Sequence, residues 1–401
     1  MNREPSDKLF NKGVISVVNA QFFSALADNA LFFALLELLD KLGALKESTY
    51  LLQACFLISY ILLAPVVGLF ADNQPKSRVL MIGNGMKLLG VALLFIGASP
   101  FICYAIVGIG AAVYSPAKFG ILGELVTTRL LVKVNGMVEG STIFAILLGA
   151  YLGGLLAENN VVMAFLFTGV MYAVAVIFNL FIPKIPAIRK DNFAPKALLK
   201  SFGSILVKLA CDRQARFAIL GTSLFWGAAA TLRLLLNDWV RVVLDGGTEM
   251  VAMLSAIVSI GIVFGALIAS LFITIKNLKL CLWAGLAMGL IAMIFSFQTN
   301  IYSVYCFLIL IGACGGIFVI PMNALLQERG KLFDSAGTAV AVQNFSENLV
   351  MIVMMLIFGV LAYYEVSIII LMICFGGFFC LGVLGLFYHI GKRNVLDTAQ
   401  D

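Results

Sequence analysis

Four charged residues stand where the surrounding chain is otherwise hydrocarbon. They are Asp28 in QFFSALADNALFFALL (21–36), Lys118 in GAAVYSPAKFGILGEL (110–125), Arg233 in GTSLFWGAAATLRLLL (221–236) and Glu347 in AVQNFSENL (341–349). The chemistry open to such groups is ion pairing, proton carriage or capture of a charged cargo. Each has polar company at helical spacing. Gln21 and Ser24 share a face with Asp28, and Asn29 follows it. Thr222, Trp226, Arg233 and Asn237 form one stripe. Tyr114 and Ser115 flank the face of Lys118. Gln343, Asn344 and Glu347 lie together, and Asn84 and Lys87 add a further pair. A charge at the centre of a membrane helix costs about 2.5–3.5 kcal/mol on insertion scales and usually faces the bundle interior. The stripes therefore predict a partly wet cavity between bundled helices.

Covalent catalysis has no comparable footprint. No G-x-x-x-x-G-K-[ST] loop occurs, which argues against ATP hydrolysis. GIGAAV (108–113) fails G-x-G-x-x-G and reads as helix packing. The single histidine, His389, has no Asp five residues on, so the H-x4-D of membrane acyltransferases is missing, and a histidine zinc site is ruled out. The eight cysteines form no C-x-x-C and lie mostly in apolar runs. The expectation is a protein without catalytic residues, bound metal or cofactor.

The elements that must position these charges follow from composition. The chain is 62% hydrophobic and only 12% charged, against about 25% charged in soluble domains. Runs long enough for membrane helices, roughly 20 residues each, recur along it. Cutting at polar and Pro/Gly breaks yields about twelve spans: 13–37, 50–71, 79–98, 101–122, 136–157, 161–182, 217–241, 250–274, 278–297, 301–326, 337–362 and 366–390. The expected fold is an all-α polytopic membrane protein of two six-helix halves, 1–182 and 217–401, joined by a cytoplasmic linker, 183–216. On the side shared by both termini the loops carry 21 Lys and Arg, against 2 on the other, Lys41 and Lys46. By the positive-inside rule both termini are cytoplasmic. The net charge of +6 is loop charge and implies no nucleic-acid partner.

The halves resemble each other, as in internally repeated transporters. GAAVYSPAKFGILGEL aligns with GGIFVIPMNALLQERG (315–330), matching Pro116 to Pro321 at an offset of 205, with Glu124 and Glu328 near the ends. The same offset carries Asp28 onto Arg233, and 208 carries Glu139 onto Glu347. Asp28 and Arg233 are thus expected at matching depths as a mutually neutralising pair. Two readings stand: a cargo site, or an ion pair that only locks the halves. Lys118 either faces the cavity or snorkels to the interface. Glu139 and Glu347 can also pair with loop Lys or Arg as gates.

GLFADNQPKSR (68–78) resembles the loop 2–3 signature of the major facilitator superfamily, G-x-x-x-D-x-x-x-[RK], through Gly68, Asp72, Lys76 and Arg78, with Pro75 where that family usually has Gly. In that family the loop packs on the cytoplasmic side and helps set the conformational equilibrium. Asp72, Lys76, Arg78, Glu124, Glu139 and Glu328 are accordingly expected to gate. A narrower resemblance runs through QFFSALADNALFFALL, NGMKLLG, YSPAKFGILGEL, GTSLFWGAAATLRLLL, PMNALLQERG and AVQNFSEN, which together look like the lysophospholipid transporters of the bacterial inner membrane.

That resemblance implies a multi-pass inner-membrane flippase without ATP hydrolysis, acting by alternating access. It would move lysophosphatidylethanolamine and lysophosphatidylglycerol from the outer to the inner leaflet. It also implies a functional partner, an acyltransferase–acyl carrier protein synthetase, as a separate protein, and a monomer among membrane lipids. Arg233 and Lys118 would take the phosphate. Asp28, helped by Asn29 and Glu347, would take the ethanolamine ammonium, and Asn84, Gln343, Asn344, Tyr114 and Trp226 would line the site. Phe22, Phe23, Phe32, Phe33 and the methionines Met351 and Met355 would line the path of the tail. The alternative is a proton-coupled transporter of other small amphiphiles, with Asp28 and Glu347 as proton carriers.

Overall fold

A computed structural model describes residues 6–43, 47–187, 195–246, 248–275, 278–333, 335–364 and 366–391. Thirteen helices occur among them: α1 (Lys12–Lys41), α2 (Glu47–Asn73), α3 (Lys76–Phe95), α4 (Pro100–Leu125), α5 (Thr128–Asn159), α6 (Val161–Leu180), α7 (Pro195–Cys211), α8 (Arg213–Val243), α9 (Thr248–Phe272), α10 (Lys279–Phe295), α11 (Ile301–Leu332), α12 (Ala336–Tyr363) and α13 (Ile368–Gly391). Twelve coincide with the twelve spans. Ten are long and apolar enough to cross a membrane, and Ile58–Asn73 of α2 and α10 are shorter apolar helices.

The thirteenth, α7, lies within the expected linker, 183–216. Phe202, Ile205 and Leu209 recur at intervals of three and four and are buried, the signature of an amphipathic helix. Phe202 meets Phe345 edge-on at 6.1 Å.

The chain divides into two compact units. The first comprises Met1–Val134, Ser141–Lys208 and Gln327–Phe345; the second comprises Asn135–Gly140, Leu209–Leu326 and Ser346–Asp401. In the first, α4 packs on α2 and α3, and α6 on α1 and α3. Lipid gives apolar side chains little reason to leave it, so close helix contact rests on small residues and backbone approach. A Cβ on Gly83 would lie 2.8 Å from the Gly110 carbonyl oxygen, so GIGAAV does serve helix packing. Gly149 and Gly153 seat α5 on the backbone of Leu26 and Ala30 in α1.

The second unit uses the same device. Gly261 and Gly265 of α9 meet the α11 backbone at Ile309, Gly312 and Ala313, and Gly289 of α10 meets Gly376 of α13. Pro116 and Pro321 lie inside α4 and α11, which continue through them. Both prolines fall at equivalent places in the repeat.

Candidate functional site

The α1 stripe is built as its spacing requires, and α3 and α6 complete it. The Asp28 carboxylate accepts a hydrogen bond from the Tyr172 hydroxyl at 2.6 Å through Oδ1 and one from Lys87 Nζ at 2.7 Å through Oδ2. Lys87 also donates to Ser24 Oγ at 3.0 Å, and Ser24 donates to Asn84 Oδ1 at 2.8 Å. The Lys87 ammonium lies 5.3 Å from the Tyr114 ring centroid and 5.8 Å from that of Tyr172, within cation–π range. Asn84 and Lys87 are buried, whereas the Asp28 side chain keeps 22% of its surface exposed. Gln21, one turn before Ser24, donates to Thr142 of α5 at 3.0 Å.

The geometry gives Asp28 a counter-ion that the expected pairing with Arg233 did not include. Asp28 is neutralised inside its own unit by Lys87. Arg233 sits exposed on α8 and makes no ion pair among the described residues. Lys87 and Tyr172 hold the Asp28 carboxylate; from sequence Lys87 stands only as a polar pair with Asn84, and Tyr172 is not singled out. Lys87 had a signal, a cation three residues after Asn84 inside an apolar run. Tyr172 had none, because an aromatic in a membrane helix is ordinary.

Other expected residues fall as follows. Asn344 donates to Ser115 Oγ of α4 at 3.0 Å. Asn29 turns its amide to its own helix, donating to the Ala25 carbonyl at 2.9 Å. Lys118 is half-buried with its ammonium 4.1 Å from the Phe119 ring centroid. Gln343 and Glu347 are buried on α12. Trp226 is partly exposed and stands edge-on to Phe225. The phenylalanines of α1 join two separate sets of rings: Phe23 stacks on Phe178 at 5.7 Å, while Phe32 stacks on Tyr104 at 6.0 Å and Tyr104 on Phe56 at 5.2 Å.

A second polar cluster lies in the first unit, where the end of α2, the start of α3 and the end of α4 meet the start of α12. Asp72 accepts from the backbone N–H of Gly337 at 2.7 Å and of Thr338 at 2.9 Å, and from the Thr338 hydroxyl at 2.7 Å. It thereby caps the first turn of α12, where unpaired N–H groups and the helix dipole favour an anion. Gly68, one turn earlier, makes this possible, since a Cβ there would lie 2.6 Å from the Thr338 Cα. Lys76, buried, pairs with Glu124, and Lys331 pairs with Glu328 at 3.5 Å. A Cβ on Gly123 would collide with the Lys331 stem. Of the expected gate residues, Asp72, Lys76, Glu124 and Glu328 belong to this cluster. Arg78 does not: it is exposed and donates to Gln74 at 3.3 Å. Glu139 is half-buried on α5.

Residues 17–355 match the family model described as Major Facilitator Superfamily. The chain is 48% identical over 365 residues, 90% of each sequence, to a protein of Yersinia enterocolitica named lysophospholipid transporter LplT. It is 47% identical to the Serratia proteamaculans protein of that name, covering 88% of this chain and 89% of the relative. For the Klebsiella pneumoniae protein of that name the figures are 45%, 96% and 98%. Among solved structures, the human organic anion transporter MFSD10 superposes with a TM-score of 0.76 at 15% identity, covering 93% of this chain and 99% of that one. The transporter FucP in its outward conformation gives 0.73 at 15%, covering 94% and 98%. At such identity these structures speak to the fold alone.

Proposed function

The chain belongs to the Major Facilitator Superfamily and is a multi-pass membrane transporter rather than an enzyme; from that premise we propose that it is a lysophospholipid flippase of the bacterial inner membrane. It takes lysophosphatidylethanolamine and lysophosphatidylglycerol from the outer to the inner leaflet by alternating access, without ATP hydrolysis. An acyltransferase–acyl carrier protein synthetase then re-acylates them, which makes downhill flipping effectively one-way. The transporter acts as a monomer, with residues 1–182 and 217–401 as its halves and 183–216 as the linker.

The observation that carries this reading is the polar knot at Asp28. A carboxylate and an ammonium, held among tyrosines next to a run of phenylalanine rings, offer both signs of charge beside an apolar surface. A lysolipid needs that combination, having one charged head and one tail. The names of the relatives, similar over nearly the whole chain, point to the same cargo.

In this reading Asp28 receives the ethanolamine ammonium. Arg233 and Lys118 receive the phosphate, Arg in bidentate fashion. Asn84, Tyr114, Gln343, Asn344, Glu347 and Trp226 line the head-group route, with Asn29 supporting Asp28 through the helix backbone. Asp72, Lys76, Glu124, Glu328, Glu139 and Arg78 govern the cytoplasmic gate.

The test is a liposome assay with labelled lysophosphatidylethanolamine, with and without a pH gradient. Flipping under both conditions is expected. No flipping under either condition removes the lipid reading, and strict dependence on the gradient replaces it with a proton-coupled transporter of small amphiphiles.

A further inference from the structure

The Lys87 ammonium sits in a place built for an ammonium. It has a carboxylate at 2.7 Å, a hydroxyl at 3.0 Å and two tyrosine rings with centroids at 5.3 and 5.8 Å. Carboxylates and aromatic faces are what proteins use to hold alkylammonium ligands. Here the occupant is a side chain of the protein itself, reaching in from α3 and 2% exposed, while Asp28 stays 22% exposed on its open side.

The fold does not demand this arrangement. In the second repeat the corresponding helix α10, KLCLWAGLAMGLIAMIF, has no charged residue after Lys279, and α13 has no tyrosine before Tyr388. Helices of the same order pack through Gly285, Gly289 and Gly376 with no buried lysine among the described residues of the second unit. A buried ion pair is also a poor means of stabilisation, because desolvating both partners offsets most of their attraction.

We infer that Lys87 is the resident ion of an ammonium site and sets head-group selectivity by exchange. A cargo ammonium approaching the open side of Asp28 displaces Lys87, which turns to the cargo phosphate, so that charge remains balanced at each stage. A glycerol head has no ammonium to offer. Its phosphate meets Lys87 while Asp28 must give that cation up without replacement. Lys87 therefore acts with opposite sign on the two kinds of cargo. This inference rests on the lysolipid reading above, and its test separates the two.

The full-length chain is purified in detergent as wild type, Lys87→Met and Lys87→Arg, and binding of ethanolamine-headed and glycerol-headed lysolipids of equal chain length is measured. Lys87→Met is expected to shift the affinity ratio toward the ethanolamine cargo by about tenfold or more, the worth of one charge-assisted hydrogen bond. Lys87→Arg, whose larger cation stays in place, is expected to shift it the other way. Equal losses for both cargoes, or no shift, would reduce Lys87 to a structural residue and overturn the inference. A second probe needs no lysolipid: free ethanolamine is expected to raise the melting temperature of Lys87→Met and leave the wild type unchanged. The same response in both proteins overturns the ammonium site. A selective rise in Lys87→Met, with wild type that binds neither lysolipid, keeps the site and sinks the cargo. Should Lys87→Met not be monodisperse, the ratio measured on Lys87→Arg decides alone.

Discussion

Removing one member of the α1 knot leaves the others without their hydrogen-bond partner. Asp28→Ala deprives Lys87 and Tyr172 of their common acceptor and strands a buried ammonium, a loss of about 3–5 kcal/mol when one partner of a buried pair is deleted. Its melting temperature in detergent should fall and lysolipid flipping should vanish. Asp28→Ala combined with Lys87→Met should recover the melting temperature and remain inactive. Flipping by the double variant would show that the carboxylate serves stability only. Arg233 provides the contrast. It is exposed and outside any ion pair among the described residues, so Arg233→Ala should melt with the wild type while flipping is lost. Near-normal transport by Arg233→Ala would remove it from the phosphate site.

At the scale of elements, glycines decide which helix faces meet, and the two adjacent glycines of α5 separate packing from propensity. A Cβ on Gly153 would collide with the Ala30 backbone, whereas one on Gly154 would meet nothing within 4 Å. Gly153→Ala should therefore lower the melting temperature, because α1 and α5 must part. Gly154→Ala should match or exceed the wild type, alanine being up to about 1 kcal/mol the better helix former. Equal effects would mean that α5 does not lie on α1 as described. The Asp72 cap offers a second element-scale measurement. Asp72→Ala leaves three donors of the α12 first turn unmet, and losing such a cap costs roughly 0.5–2 kcal/mol. Asp72→Asn keeps an acceptor oxygen without the charge, so its melting temperature should fall between those of Asp72→Ala and wild type.

For the whole molecule the governing facts are solvent and symmetry. Lys and Arg crowd the loops on one side of the twelve spans, so a reporter that matures only in the cytoplasm should fluoresce when fused to either terminus. Silence at one end would mean an odd number of crossings.

Much of this was legible in one dimension. Apolar runs of membrane length set the helices, and the shared Pro116 and Pro321 frame exposed the repeat. The loop signature located Asp72, because a tight contact between α2 and a helix start demands Gly68 and an acid at fixed spacing. Helix α7 escaped because seventeen residues with three lysines lack the sustained hydropathy of a span, although its buried stripe has ordinary amphipathic period.

The partner of Asp28 was the one decision left wholly to the tertiary structure. Lys87 is 59 residues away and Tyr172 is 144 away, and nothing in a hydropathy window ranks them above Arg233. Ion pairing depends on distances of a few ångströms, and those depend on how α3 and α6 are rotated against α1. The rotation of α3 is set in turn by backbone contacts at Gly83 and Gly110. Sequence alone determined the solvent, the spans and the presence of a charge in α1; packing decided which cation that charge would hold, because rotation about a helix axis is not written in the residues of that helix alone.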